Sequence, residues 1–380
     1  MKERSVDMKK KLVLIGLALV VFLILVFIGY RELHHNYYEA VTVTGATPLA
    51  LYSTVPGDFK IEVSGNVKKD YFFGSSALRA FAATRIRTKE VSPTGAFTGI
   101  FVYLGIPVYN ILEGVAPAYS SEASDNPLDF LVTFESGEGK QVHFSWGELM
   151  MQGNAMPVTL AYSRVPVLPA KEREKPDFSP PGEMLTGFRL IAPQEPDTTR
   201  YLDGVVRVIF RQVSMPPGLF PERRKGMKCE SDRVVCVESG SLREPVWDGM
   251  VRSTTRNWVR VGHGRGFLGQ ETITGYPFRE FLLRNFDAVT PWDYFMLVAC
   301  DGYRVLYAAR EILLTDSGRS MFLVDEMNGR RAPGGRMLAC LDDYYADRGL
   351  WGISHVVRFR LPWDDPNSPA TIEVKRLAPG

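Results

Sequence analysis

Gly105-Ile-Pro107-Val-Tyr-Asn-Ile-Leu112 returns later in the chain as Gly275-Tyr-Pro277-Phe-Arg-Glu-Phe-Leu282. Each copy is followed by an alternating apolar pattern opened by an Asp-aromatic pair. The first runs from Asp129-Phe130-Leu-Val-Thr-Phe134 to Gln141-Val-His-Phe144, the second from Asp293-Tyr294-Phe-Met-Leu-Val to Tyr303-Arg-Val-Leu-Tyr307. A third element closes each copy: Arg189-Leu-Ile-Ala-Pro193 before Val205-Val-Arg-Val208, and Arg336-Met-Leu-Ala-Cys340 before Val356-Val-Arg-Phe359. Three matched elements in one order point to a duplicated domain. The first two elements begin 24 residues apart in one copy and 18 in the other, so the copies have diverged.

Local patterns give the elements their type. Proline suits the first turn of a helix, where its missing N–H costs nothing, so each Gly-x-Pro begins a short helix. Val108, Ile111 and Leu112 form one apolar stripe, and Phe278, Phe281 and Leu282 its counterpart. Asp301-Gly302 between alternating apolar runs marks a tight hairpin, for which the first copy uses the longer Ser136-Gly-Glu-Gly139. Ser145-Trp-Gly-Glu148 has the spacing of a capping box, in which Ser accepts from the N3 amide and Glu reaches back. Phe59 to Gly65 reads as a strand, Ser75 to Ala83 as a short helix and Ser163 to Gly187 as a surface excursion between strands.

The chain has 380 residues, 45% of them hydrophobic, enough to fill about two domain cores. A net charge of +2 provides no basic face of the kind a nucleic-acid partner requires, so none is expected. Leu12 to Tyr30 is a run of 19 residues without a charge, about 28 Å long as a helix, enough to cross a bilayer core. Lys2, Arg4, Lys9, Lys10 and Lys11 precede it and only Arg31 follows closely, which keeps the N-terminus in the cytoplasm and sends the rest outward. No small-x-small cleavage site follows, so the segment is expected to remain as an anchor. The expected organisation is a 1–11 cytoplasmic tail, a 12–30 transmembrane anchor, a 31–58 stalk, a first copy over 59–210, a 211–246 linker, a second copy over 247–362 and a 363–380 tail. The expected location is the cell (inner) membrane, single-pass, with the main body periplasmic or extracytoplasmic.

The order of the Gly-hydrophobic-Pro helix, hairpin, Met-Asn-Gly turn and Gly-Gly-Arg strand resembles the sulfite-oxidase-type molybdopterin-binding domain. Met327-Asn328-Gly329 … Gly334-Gly335-Arg336-Met337-Leu338 carries the likeness in the second copy, and Thr98-Gly99 … Leu104-Gly105-Ile106-Pro107 … Ile111-Leu112 in the first. The resemblance implies an α+β fold, here a tandem duplication behind one N-terminal transmembrane helix, and a molybdopterin cofactor. In that family a cysteine thiolate in the loop before the Gly-Pro helix binds molybdenum, a soft ligand for which a hydroxyl substitutes poorly. The first copy has Arg85-Ile-Arg87-Thr88-Lys89-Glu90 there, with Thr88 nearest the ligand position, and the second has Gly262-His263-Gly264-Arg265-Gly266. Neither contains cysteine, which argues against molybdenum and leaves a pterin compatible.

The candidate cofactor-binding residues are Arg85, Arg87, Thr88, Arg200, His263, Arg265 and Arg348. Arg85 and Arg87 can grip an anion bidentately; His263 and Arg265 lie in a Gly-rich loop whose amides can approach a phosphate. Arg348 occupies the loop where the family places a cofactor-facing arginine, with Arg200 as its counterpart. No metal ligand or catalytic residue is assigned. The five histidines and four cysteines show no zinc or iron spacing, and there is no nucleophile elbow, Walker loop or dinucleotide fingerprint. Export permits disulfides, but Cys229, Cys236, Cys300 and Cys340 allow three pairings among which sequence does not choose. The expected function is that of a bacterial-type, membrane-anchored, exported protein resembling a molybdopterin oxidoreductase. It would lack molybdenum and serve as a small-molecule or partner-binding accessory of an envelope redox system. The alternative is an active molybdopterin-dependent oxidoreductase with an unconventional metal ligand; a third reading is a structural scaffold.

Overall fold

In both halves of the chain the repeated Gly-x-Pro ends a long strand and starts a short helix. The computed structural model describes residues 55–361, apart from 120–126, 154–155, 170, 172–181, 217, 219, 225, 227–228, 232 and 254. The expected 1–11 tail, the 12–30 anchor, most of the 31–58 stalk and the 363–380 tail lie outside the described residues. Among the described residues no helix is long and apolar enough to cross a membrane.

The first half runs β1 (Lys60–Gly65), β2 (Tyr71–Gly74), α1 (Ser75–Leu78), β3 (Thr84–Val91), β4 (Phe97–Pro107), α2 (Val108–Leu112), β5 (Phe130–Ser136) and β6 (Gln141–Ser145). It continues with α3 (Trp146–Met150), β7 (Thr159–Pro166), β8 (Glu183–Ile191) and β9 (Leu202–Gln212). Its strands form one nine-stranded sheet in the order β2-β1-β9-β8-β7-β4-β3, with β5 added on β9 and β6 on β5. The second half runs β10 (Val235–Glu238), β11 (Ser241–Arg243), β12 (Arg256–Gly262), β13 (Gly266–Pro277), α4 (Phe278–Asn285), β14 (Tyr294–Ala299) and β15 (Arg304–Ala308). There follow α5 (Ala309–Leu314), α6 (Asp316–Arg319), β16 (Met321–Met327), β17 (Arg330–Arg331), β18 (Met337–Cys340), β19 (Leu350–Trp351) and β20 (Ile353–Phe359). Here two sheets form, β11-β10-β20-β14-β15 and β12-β13-β16-β18-β19 with β17 on β16. The sheet-rich, helix-poor result is an α+β fold.

The two halves share fine detail. β3 and β4 change register between Glu90 and Val91, and β12 and β13 between Arg260 and Val261, which leaves Thr98 and Leu268 as the extra residue of a bulge. A second shift falls at Gly105 against β7 and at Gly275 against β16. Both glycines are required there: a Cβ would lie 2.5 Å from the Leu160 carbonyl oxygen at Gly105 and 2.1 Å from that of Leu323 at Gly275. The predicted apolar stripes meet in one buried cluster, with Val108, Ile111 and Leu112 in the same core as Phe278, Phe281 and Leu282.

Several local expectations change. Residues 85–90, read as a loop, belong to β3, where pairing with β4 buries Ile86, Thr88 and Glu90 and turns Arg85, Arg87 and Lys89 outward. The helix expected over Ser75–Ala83 stops at Leu78. The stretch 211–246, read as linker, contains β10 and β11; β10 lies parallel to β20 with Glu238 opposite Arg358, as β1 lies parallel to β9 with Glu62 opposite Arg207. Both glutamates form ion pairs with those arginines.

Candidate functional site

Where the halves meet, α3 and α5 each carry a buried glutamate at the third helical position, Glu148 and Glu311. Ser145 caps α3, accepting from the Glu148 amide at 3.1 Å. The Glu148 carboxylate does not complete the expected capping box. It turns inward to Arg200, whose guanidinium is taken up by Glu148, Glu195 and the His143 carbonyl. In the second half Arg348 is fully buried, donating to Glu311 at 2.5 Å and to both oxygens of Asp343 at 2.7 Å. The two arrangements are crossed by contacts between the halves. Arg310, beside Glu311, reaches Glu195 and Asp197, while Gln152 donates to Glu311 at 2.9 Å. Gly147, beside Glu148, gives room to Arg348, whose Cδ would lie 2.3 Å from a Cβ there. Burial pushes the Glu148 carboxyl up, Arg200 opposes this and Glu311 adds to it.

This geometry places Arg200 and Arg348 inside carboxylate cages that already use their donors. Thr88 is buried on β3 and directs its hydroxyl to Glu90 Oε1 at 3.4 Å. Glu90 also accepts the Tyr103 hydroxyl at 2.6 Å and faces Arg189 at 3.6 Å. Burial raises the Tyr103 hydroxyl above its usual range. Arg85 and Arg87 project from the other face of the same strand, so the structure separates them from Thr88. Of the cysteines, Cys229 is bonded to Cys300, and Cys236 and Cys340 are buried thiols in β10 and β18. Burial raises the Cys340 thiol well above its ordinary value and that of Cys236 to about 12. The disulfide leaves no thiolate on Cys229 or Cys300, and Cys236 and Cys340 lie within strands and not in the segments that precede the Gly-x-Pro helices. The donor set therefore does not fit a thiolate-held molybdenum. Among the described residues no group of three His, Cys, Asp or Glu side chains is placed to hold a metal ion.

Two clefts open beside the charged core, and each is lined by both halves. A cleft of about 670 Å³ is lined by His143, Thr199 and Arg200 of the first half with Trp292, Tyr294 and Arg310 of the second. His143 is buried and bonded through Nδ1 to Thr133 at 2.9 Å; burial first, then the charges of Arg211 and Arg200, lowers its pKa to about 3. The larger cleft, about 770 Å³, brings together two of the sequence candidates, His263 and Arg265, on the turn between β12 and β13. With them are Arg223, Arg260, Tyr303, Tyr345 and Trp351, and from the first half Tyr119, Trp146 and Glu113. Sequence reading singled out none of these additions. Arg260 had a usable signal, lying three residues before the Gly-rich turn on the same strand. The aromatic residues are scattered over more than two hundred positions and had none.

No family model matches the chain, and no curated protein matches it. Among solved structures it is similar to the crystal structure of the sulfane dehydrogenase SoxCD from Paracoccus pantotrophus, with 12% identity, a TM-score of 0.28 and 78% of each chain covered. A likeness that loose carries no argument about this chain's activity.

Proposed function

We propose that the chain is a membrane-anchored, exported relative of the molybdopterin oxidoreductases that works without molybdenum, binding a small molecule or partner as an accessory of an envelope redox system. The observation that carries this reading is the donor set: Thr88, nearest by register to the family's ligand position, is buried and tied to Glu90, and among the described residues no thiol lines either cleft. A duplicated origin is supported by the paired bulges, the paired Gly close approaches and the paired Glu–Arg ion pairs across parallel strands. The two inter-half clefts support binding as the retained role, because concave sites lined by a few convergent polar groups are where ligands are taken up.

The full-length chain, purified from a molybdenum-replete host, is expected to contain no molybdenum by elemental analysis. One atom per chain would overturn the reading, whereas a fluorescent pterin released without metal would leave the binding role standing. Thr88→Cys is expected to stay metal-free as well, since its side chain faces Glu90 and the buried side of β3. Metal uptake by that variant would show that a thiolate on the buried side of β3 can reach a metal, and would overturn the account of the site.

A further inference from the structure

We propose that the larger cleft binds a flat aromatic molecule bearing a single acidic group, with Arg265 gripping the acid and Trp146, Tyr345 and Trp351 contacting the ring. This inference rests on the binding role above and names its ligand class.

The cleft's size is that of a small-molecule site, about 770 Å³ within the usual range of about 300–1,000 Å³. Its apolar lining sets Tyr119, Trp146, Tyr303, Tyr345 and Trp351 beside Met150, Met151 and Leu268, and planar side chains favour planar ligands through offset or edge contacts. His263 stands edge-on to Tyr345 with ring centroids 4.9 Å apart, which fixes the orientation of that wall. Arg260 lies between Trp258 and Trp351, 5.6 and 5.3 Å from their rings, and presents a flat surface beside the exposed part of Trp351.

The charges set the polar end. Arg223 is held by Asp301 at 2.6 Å and Arg260 by Glu271 at 2.7 Å, so neither has a full charge to offer. Arg265 is exposed on its turn and forms no ion pair among the described residues. Against it the lining sets Glu113 and Asp347, the latter accepting the His263 amide at 2.9 Å. A single acidic group can pair directly with the uncommitted Arg265, while Glu113 and Asp347 oppose any further negative charge, as on a polyphosphate. The smaller cleft lacks such a group, because Arg200 and Arg310 are both spent on Glu195 and its neighbours.

The test is calorimetric titration of the full chain in lipid nanodiscs with three probes that share one ring system: 2-naphthoate, the neutral 2-naphthalenemethanol and the dianionic 2-naphthyl phosphate. Naphthoate is expected to bind at least about 10-fold tighter than the alcohol, the size of one charge-assisted hydrogen bond, and tighter than the phosphate. Arg265→Ala, on an exposed turn where folding is not at risk, is expected to abolish the preference for naphthoate, and Trp351→Ala to weaken all three. Absence of saturable naphthoate binding, or a naphthoate preference unchanged in Arg265→Ala, would overturn the proposal. If another small molecule is then found retained by the chain in native mass spectra, the ligand class falls while the binding role stands. Molybdenum at one atom per chain would sink the role itself.

Discussion

Residues 147 and 310 occupy the same place in the two halves, the second position of the helix that follows the hairpin, yet one is glycine and the other arginine. Arg310 extends out of the second half to Glu195 and Asp197 of the first. Gly147 does the reverse, leaving the space that the side chain of Arg348 occupies. A symmetric pair of arginines would have put extra cations into both cages; a symmetric pair of glycines would have left Glu195 and Asp197 short of a partner. The difference teaches that the halves are no longer interchangeable. At this position each half carries the residue that fits the other, and ion pairs of the charged core join the two halves.

That asymmetry ranks the arginines. Arg348→Met removes the cation that, among the described residues, alone bridges Glu311 and Asp343 inside a fully buried cage. Breaking such a pair leaves uncompensated charge, with a cost of about 3–5 kcal/mol. Arg310→Met should cost less, about 1–2 kcal/mol, because Glu195 keeps Arg200 and Asp197 is partly exposed. Denaturant unfolding of the two variants checks the ranking. Equal losses would mean that the junction between the halves, and not the burial of the cage, sets the energy.

The Asp-aromatic pairs that opened the repeat supply a second comparison. Asp293 accepts from Arg358 at 2.8 Å, Arg360 at 2.6 Å and the Thr290 amide at 2.6 Å. Burial alone would raise its carboxyl, but these donors hold it below the usual carboxylate range. Asp293→Asn is expected to cost about 1.5–3 kcal/mol through the lost charge on those bonds, read as a lower unfolding midpoint at neutral pH.

Much of this fold could be read from the sequence, for a physical reason. Gly105 and Gly275 are fixed because a neighbouring backbone passes where a Cβ would stand, and the prolines after them end the strand as N-caps of α2 and α4, one position before the expected first helical turn, so both leave a local trace. The apolar stripes of α2 and α4 were legible for the same reason. The start of the second half was not. Ile61-Glu62-Val63-Ser64-Gly65 corresponds to Val237-Glu238-Ser239-Gly240 with one residue fewer, and the missing residue hid a match whose meaning lies in Arg207 and Arg358, more than a hundred residues away. Glu148 was misread as a helix cap because a capping box is a local pattern, whereas its partner Arg200 is 52 residues distant. Thr88 and Arg85 were read together from proximity in sequence, but a strand sends them to opposite faces. The Cys229–Cys300 pairing spans 71 residues and carries no local signature.

Asp129 opens the first half's hairpin as Asp293 opens the second's, but its hydrogen-bond partner is Gln212 and not an arginine pair. Gln212 donates to Oδ2 at 3.0 Å, while Oδ1 is buried without a hydrogen-bond partner among the described residues. Burial pushes this carboxyl up to about 6, against the Gln212 hydrogen bond and the charge of Arg304. The unfolded chain releases its proton near the ordinary value of 3.8, so between that pH and about 6 the folded state holds a proton that the unfolded state has lost. Stability therefore falls as pH rises through this window and stays lower above it. A difference of roughly two pH units corresponds to at most about 3 kcal/mol. An asparagine must still find an acceptor for its amide, which reduces the gain. Asp129→Asn is accordingly expected to stabilise the chain by about 1–2 kcal/mol at pH 7 and by nothing measurable at pH 4, opposite in sign to Asp293→Asn. Unfolding midpoints of both variants at the two pH values test this directly. If Asp129→Asn destabilises at pH 7, Asp129 has an uncounted cationic partner, and the divergence between the two aspartates is smaller than their surroundings indicate.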